Sequence, residues 1–189
     1  MNAQPQKVFL YDTTLRDGAQ GEGISFSDAG KVRFARMLDE FGVDYIEGGF
    51  AGSNPRDQRF FEDIRKERLT HAHVTAFGST RRVDLDAKDD PQLAGLVAAE
   101  TEWVTIYGKA WMLHVKDVLR TTGERNLQMI ADTVGFLKAA GRQVFFDAEH
   151  FFDGYKADPA YALKALAAAV REGAAGVALC DTNGGCLPH

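Results

Sequence analysis

One short stretch near the start of the chain combines groups that suit carbonyl chemistry. A carboxylate can hold a hard divalent cation, and a neighbouring guanidinium can stabilise negative charge on an oxygen that the cation polarises. Arg16 and Asp17 are adjacent and therefore indicate a site that activates a carbonyl group. They belong to the nonapeptide Asp12-Thr13-Thr14-Leu15-Arg16-Asp17-Gly18-Ala19-Gln20.

Such a site needs a framework that brings polar residues from distant parts of the chain together. Short apolar runs predict six strands, at 8–11, 45–47, 73–77, 103–107, 143–147 and 176–180. Polar residues follow nearly every run, including Glu47, Lys109, Glu149 with His150, and Asp181 with Thr182. In a parallel barrel these strand ends form one rim, where catalytic residues collect. Lys109 alone among them is expected to be a solvated side chain.

Helical patterns fill the intervals between the predicted strands. Their starts carry recognisable signals: Ser27, Asn54 with Pro55, Asp90 with Pro91, a Thr121–Glu124 capping box, and Asp158 with Pro159. Strands that alternate with helices predict an α/β protein with a parallel sheet, either an open doubly wound sheet or a (β/α)8 TIM barrel. No glycine-rich phosphate loop follows the first strand, and the polar rim favours the barrel.

Six strands are two fewer than a barrel needs to close, and they leave two unpaired edges. We therefore expect an incomplete TIM barrel. Residues 1–189 would be the N-terminal part of its catalytic domain, with strands seven and eight and any C-terminal domain absent.

Composition excludes several classes of protein. The 189 residues are 45% apolar, which is enough for a core, and the net charge of −5 argues against a nucleic-acid partner. No apolar run approaches the roughly 18 to 20 residues that would cross a bilayer. The two cysteines form no disulfide framework. The sequence predicts a soluble cytoplasmic protein.

The nonapeptide resembles the N-terminal signature of the metal-dependent barrels that make or cleave carbon–carbon bonds next to acyl-CoA. These are the 2-isopropylmalate, homocitrate and citramalate synthases and the hydroxymethylglutaryl-CoA lyases. Further stretches, at 45–49, 52–55, 76–82, 147–155 and 179–185, resemble the citramalate synthase branch. The resemblance covers essentially the whole chain. It implies an acyltransferase that condenses acetyl-CoA with pyruvate to give citramalate, on a route to isoleucine.

The same resemblance implies roles for individual residues. Asp17 would be a ligand of a divalent metal ion, with Mg, Mn and Zn not distinguished, and Arg16 the electrostatic catalyst. Glu149 would be catalytic and is a candidate base. The residues expected to bind or support substrate are Gln20, Thr182, Asp147 and Glu47.

Two further metal ligands of the family lie in a His-x-His pair on strand seven, beyond His189. We therefore expect the isolated chain to be inactive or nearly so. As a separate expectation, the full-length parent is predicted to be a homodimer. His71 and His73 are a poor substitute, because they stand at the start of strand three, at the opposite rim.

Other functions stay open at the level of the sequence. The substrate could be that of a 2-isopropylmalate or homocitrate synthase, which would differ in pocket size. A related acyl-CoA carbon–carbon lyase is a further alternative. From a different class, the chain could be a metal-independent assembly module that pairs through its open sheet edges.

Overall fold

The computed structural model describes residues 7–52 and 55–187. Its strands are β1 (Tyr11–Asp12), β2 (Tyr45–Phe50), β3 (His73–Ser79), β4 (Trp103–Lys109), β5 (Gln143–Glu149) and β6 (Gly176–Leu179). Its helices are α1 (Asp28–Phe41), α2 (Pro55–Ile64), α3 (Pro91–Ala98), α4 (Met112–Asp117), α5 (Gly123–Ala139), α6 (Phe151–Ala157) and α7 (Pro159–Arg171).

The strands form one parallel sheet in which every strand pairs with the next one along the chain, from β1 to β6. A doubly wound sheet reverses its strand order part of the way across, whereas a barrel does not. The sequential order therefore confirms the predicted barrel architecture, here incomplete at six strands.

The sheet is strongly curled, because side chains of strands that are not neighbours touch across its inner face. The Tyr11 hydroxyl on β1 lies 2.6 Å from Oγ1 of Thr105 on β4. The ring centre of Tyr11 is 5.8 Å from that of Phe145 on β5. These contacts bring β1 close to β4 and β5 across the inner face of the sheet.

Strand β5 shows how the sheet separates its two faces. Val144, Phe146 and Ala148 point outward and have no exposed surface, since α5 and α7 cover them. Phe145, Asp147 and Glu149 alternate with them and point into the barrel. The apolar core therefore lies between the sheet and the helices, and polar groups occupy the inner face.

Three of the predicted helix starts are confirmed by capping hydrogen bonds. The side chain of Ser27 accepts from the Gly30 amide at 3.0 Å, that of Asp90 from Gln92 at 2.8 Å, and that of Asp158 from Tyr161 at 3.0 Å. Asn54 lies outside the described residues.

The predicted Thr121–Glu124 capping box is wrong. Thr122 is the N-cap of α5, and its hydroxyl accepts from the Arg125 amide at 3.1 Å. The amide of Thr121 instead donates to the Val115 carbonyl at 3.1 Å, which closes the turn after α4 and moves the cap on by one residue.

Strand boundaries also differ from the predicted ones. The first strand is shorter, because the Leu10 amide donates to the Asp44 side chain rather than to a strand and Val8 is 79% exposed. Strands β2 to β5 run further than expected, so Lys109 and Glu149 end strands instead of beginning loops. Helices α4 and α6 were not predicted. None of the described helices is long and apolar enough to cross a membrane.

Candidate active site

A cavity of about 520 Å³ opens at the carboxyl ends of the strands. Six of the seven residues predicted for the site line it: Arg16, Asp17, Gln20, Asp147, Glu149 and Thr182. Five further residues complete the lining: Phe50, Phe77, Tyr107, Cys180 and Asp181. Residues from both ends of the sequence therefore meet around one volume that could hold a small substrate.

The turn after β1 presents Arg16 and Asp17 to this cavity. The Asp12 side chain accepts hydrogen bonds from the amide and the hydroxyl of Thr14, at 2.9 and 3.0 Å. The Thr13 carbonyl accepts from the amides of Arg16 and Asp17, at 3.1 and 2.8 Å. These bonds hold a tight turn at the strand end, so the position of both side chains is fixed by the backbone.

Three neighbours hold the Arg16 guanidinium in place. Its Nε donates to Oε2 of Glu47, and its Nη1 lies 2.8 Å from Oδ1 of Asp17. Its Cζ lies 3.9 Å from the centre of the Phe77 ring. A guanidinium clamped by two carboxylates and one aromatic face keeps its remaining N–H groups at a defined place in the cavity.

Glu47 lies behind Arg16 rather than in the cavity lining. The side chain has no exposed surface, and its other oxygen, Oε1, accepts from the Tyr11 hydroxyl at 2.8 Å. Burial raises the pKa of Glu47, while Arg16 and Tyr11 oppose that effect. The sequence predicted that Glu47 binds substrate, whereas its contacts are those of a residue that positions Arg16.

A layer of hydroxyl groups surrounds Tyr11 on the inner face of the sheet. Its hydroxyl lies 3.0 Å from Oγ1 of Thr75, in addition to its short contact with Thr105. Burial, with the Glu47 charge beside it, raises the pKa of Tyr11. Tyr11 therefore stays a neutral phenol that joins four strands through one oxygen.

Asp147 lies on the inner face of β5, among other acidic groups. Burial raises the pKa of Asp147 to about 7, and the Glu47 charge adds to the rise while Arg16 opposes it. The carboxyl is therefore close to half protonated at neutral pH.

Glu149 forms an ion pair with Lys109, whose side chain is only 14% exposed. The expectation of a solvated lysine was therefore wrong, because β4 and β5 continue to these two residues and bring them side by side. The pKa of the neighbouring Tyr107 is raised by burial and by the Glu149 charge.

The loop after β6 is attached to the end of β5. The Thr182 hydroxyl accepts from the His150 amide at 2.9 Å, and His150 adopts a left-handed backbone with φ of 54°. The Asp181 carboxylate accepts from the Cys186 amide at 2.8 Å. Burial and the nearby carboxylates raise the pKa of Cys180 to about 12, so this thiol is a poor nucleophile.

Asp17 is the cavity residue that the family resemblance would make a metal ligand. The Asp17 side chain is 62% exposed and borders the cavity. Between residues 7–52 and 55–187, no three His, Cys, Asp or Glu side chains come together in a group that could hold a metal ion. These residues fit a contribution to a metal site but not a complete one.

Sequence reasoning missed several residues that shape the site. Tyr11 ends a predicted strand, and Phe77 and Tyr107 each end another. The alternation of strand residues could have assigned these rings to the inner face once the strand ends were known. No sequence signal shows that Tyr11 reaches Thr105, because that contact depends on the curl of the sheet.

Comparisons with known proteins define the class to which this fold and site belong. The family model described as HMGL-like matches residues 7–189, and the chain belongs to that family. A hydroxymethylglutaryl-CoA lyase from Bacillus subtilis has the same fold, with a TM-score of 0.73 at 16% identity over 97% of this chain and 61% of that one.

Within the family, relatives of one kind are identical to this chain at more than half of the aligned residues. It is 56% identical to the (R)-citramalate synthase of Aquifex aeolicus over 97% of its own length. It is 54% identical to that of Geobacter sulfurreducens over 96% of its length. The chain spans 35% and 34% of the lengths of these two relatives. The resemblance drawn from the sequence motifs is confirmed.

Proposed function

We propose that this chain forms much of the active site of a citramalate synthase, which condenses acetyl-CoA with pyruvate and then hydrolyses the thioester. One observation carries the proposal. Arg16, Asp17, Asp147, Glu149 and Thr182 border a single cavity. The high identity to (R)-citramalate synthases supports the choice within the family.

Arg16 would stabilise the transition state. When a nucleophilic carbon adds to the keto carbon of pyruvate, negative charge develops on the keto oxygen. The guanidinium, held by Glu47 and Phe77, would meet that charge without having to reorganise. A single oxyanion donor contributes about 3 to 4 kcal/mol in comparable sites.

Glu149 and Thr182 would act on the two substrates from the opposite side of the cavity. The Thr182 hydroxyl accepts from His150 and keeps its own proton free to donate to the pyruvate carboxylate. Glu149 is our candidate for the base that removes a proton from the acetyl methyl group, and its ion pair with Lys109 would hold the carboxylate in position.

A divalent cation, bound in part by Asp17, would polarise the keto group of pyruvate. Its other ligands would come from outside the described residues. We therefore expect residues 1–189 alone to bind a cation weakly.

The aromatic rings of the cavity support a short oxo acid as substrate. The Phe77 ring stacks on Tyr107 at 5.6 Å and meets Phe50 edge-on at 5.0 Å. Three rings in contact form a stiff wall, which leaves little freedom to admit a branched substituent.

The test is a thiol-release assay on the product of the complete reading frame, with acetyl-CoA, Mg²⁺ or Mn²⁺ and one of three oxo acids. We expect turnover with pyruvate to exceed that with 2-oxoisovalerate or 2-oxoglutarate. Equal or better turnover with 2-oxoisovalerate would contradict the substrate assignment. Formation of acetyl-CoA from a 3-hydroxy-3-methyl acyl-CoA, without synthase activity, would favour a lyase instead.

A further inference from the structure

Among the carboxyl groups around the cavity, Asp147 has a different environment from the others. Glu47 and Asp17 contact Arg16, Glu149 contacts Lys109, and Asp181 accepts backbone amides. In the described part of the chain, Asp147 makes no hydrogen bond or ion pair, although it borders the same cavity.

The groups that face Asp147 explain why it should not carry a negative charge. Arg16, the cation within reach, is already engaged by two carboxylates. Lys109, the other nearby cation among the described residues, is paired with Glu149. The remaining titratable groups around Asp147 in the described part of the chain are acidic or neutral: Tyr11, Asp17, Glu47, Tyr107, Glu149, Cys180 and Asp181. A carboxylate without a partner in such a place would lose solvation and gain no attraction in return, so the neutral acid is favoured. The raised pKa of about 7 agrees with this reasoning.

A neutral carboxylic acid is a proton donor, and this one points into the cavity beside Arg16. We propose that Asp147 is the catalytic acid of the site, donating a hydrogen bond to the keto oxygen of the bound oxo acid and giving it the proton during condensation. The inference rests on the proposed function, because it assigns a role within that reaction.

The step balances as follows. The enolate carbon of the acetyl group forms a bond to the keto carbon, and the carbon–oxygen π pair moves onto the keto oxygen. That oxygen takes the Asp147 proton and becomes the hydroxyl of the product, which leaves Asp147 as a carboxylate. The proton that the base removed from the acetyl methyl group returns to Asp147 through cavity water, so no net proton is consumed.

Glu47 and Arg16 determine how readily Asp147 gives up its proton. The Glu47 charge disfavours ionisation of Asp147, whereas Arg16 limits the rise. A substrate carbonyl that accepts from the remaining N–H groups of Arg16 would take up part of the positive charge that otherwise favours ionisation of Asp147. The acid would therefore hold its proton until negative charge develops on the keto oxygen.

The first test measures the protonation state of the Asp147 carboxyl group and does not depend on turnover. The chain is labelled with ¹³C at the aspartate side-chain carboxyl carbons and titrated by NMR from pH 4 to pH 9. We expect one resonance to titrate near pH 7, to vanish in Asp147→Asn and to persist in the control Asp63→Asn, whose exposed carboxylate pairs with Lys66. An Asp147 resonance that titrates near pH 4, in folded protein, would overturn the inference.

The second test uses the product of the complete reading frame. Asp147→Asn should lower kcat for citramalate formation by about 100-fold or more, with a smaller change in KM for pyruvate. In the unmodified enzyme, kcat should fall as pH rises above about 7, and Asp147→Asn should remove that alkaline limb. Asp147→Glu, which keeps a proton donor, should recover part of the rate. An unchanged limb in folded Asp147→Asn would overturn the inference.

The two proposals can fail separately. An Asp147 that titrates near pH 4, together with citramalate formation, would contradict the acid role alone. If the enzyme makes a different product while Asp147 titrates near pH 7 and its replacement removes the alkaline limb, only the substrate assignment fails.

Discussion

The Nε of Arg16 donates to a Glu47 carboxylate that has no exposed surface, 31 residues further along the chain. Because Tyr11 donates to the other oxygen, each oxygen of that carboxylate accepts a hydrogen bond. This arrangement fixes Arg16 from behind and leaves its far side to the cavity. The same hydrogen bonds therefore hold Arg16 in the site and stabilise the fold.

Replacing Arg16 should test its role most directly. Lysine cannot contact Glu47, Asp17 and the Phe77 ring at once, because it lacks the planar fork of donors. We expect Arg16→Lys to reduce kcat by about 100- to 1,000-fold in the thiol-release assay. Arg59→Lys, at an exposed pair with Asp28, is the matched control and should leave kcat unchanged. A full rate in Arg16→Lys would contradict the assignment.

Removing the Glu47 charge should cost stability. Glu47→Gln leaves Arg16 with Asp17 as its remaining anionic partner, so we expect a loss of about 3 kcal/mol, at the low end for a broken buried pair. Urea unfolding followed by circular dichroism measures it. Asp63→Asn, which breaks an exposed pair, should change the free energy of unfolding by less than about 1 kcal/mol. Equal losses in the two variants would show that the buried pair is not stabilising.

Asp147 should make stability depend on pH in a direction opposite to that of most carboxylates. Its pKa is raised on folding, to about 7, so the folded state binds an extra proton between pH 4 and pH 7. That stabilising contribution is complete below pH 4 and is lost as pH rises through 7. Relative to Asp147→Asn, the unmodified chain should lose roughly 2 to 4 kcal/mol between pH 4 and pH 8. Parallel pH profiles of unfolding for the two proteins would contradict this.

Gly49 is required by a close approach as well as by its backbone. Its φ is 145°, and a Cβ there would lie 2.4 Å from Cγ of Asp57. Gly49→Ala should therefore destabilise the chain by about 1 to 3 kcal/mol in thermal unfolding. Gly135→Ala, in the interior of α5, is the control and should stabilise by about 0.5 to 1 kcal/mol, because only a flexible Glu172 oxygen lies near its Cβ. A neutral Gly49→Ala would indicate that β2 can shift.

The fold was predictable because its signals are local. Apolar runs, side-chain caps and prolines at helix starts each depend on a few neighbouring residues, and together they predict a parallel α/β order. The rim followed from that order, which explains why Arg16 and Thr182 could be assigned to one site although they are far apart in sequence.

What the sequence could not show depends on curvature and on strand length. Glu47 ends a predicted strand, which suggested substrate binding, but β2 continues to Phe50 and Glu47 contacts Arg16 and Tyr11 instead. The sequence placed Lys109 beyond the end of its strand. In the structure β4 includes Lys109, which lies beside Glu149 on the neighbouring β5. The raised pKa of Asp147 likewise depends on burial and on the Glu47 charge beside it, which no sequence pattern records.

The two faces of β5 suggest a practical route for engineering. Val144, Phe146 and Ala148 pack against the helices, whereas Asp147 and Glu149 border the cavity. Substitutions at Val144, Phe146 and Ala148 should therefore alter the packing of the helices, whereas substitutions at Asp147 and Glu149 should alter the chemistry of the cavity and leave the contacts with α5 and α7 in place. In this seven-residue strand, helix packing and the chemistry of the cavity can thus be varied at different positions.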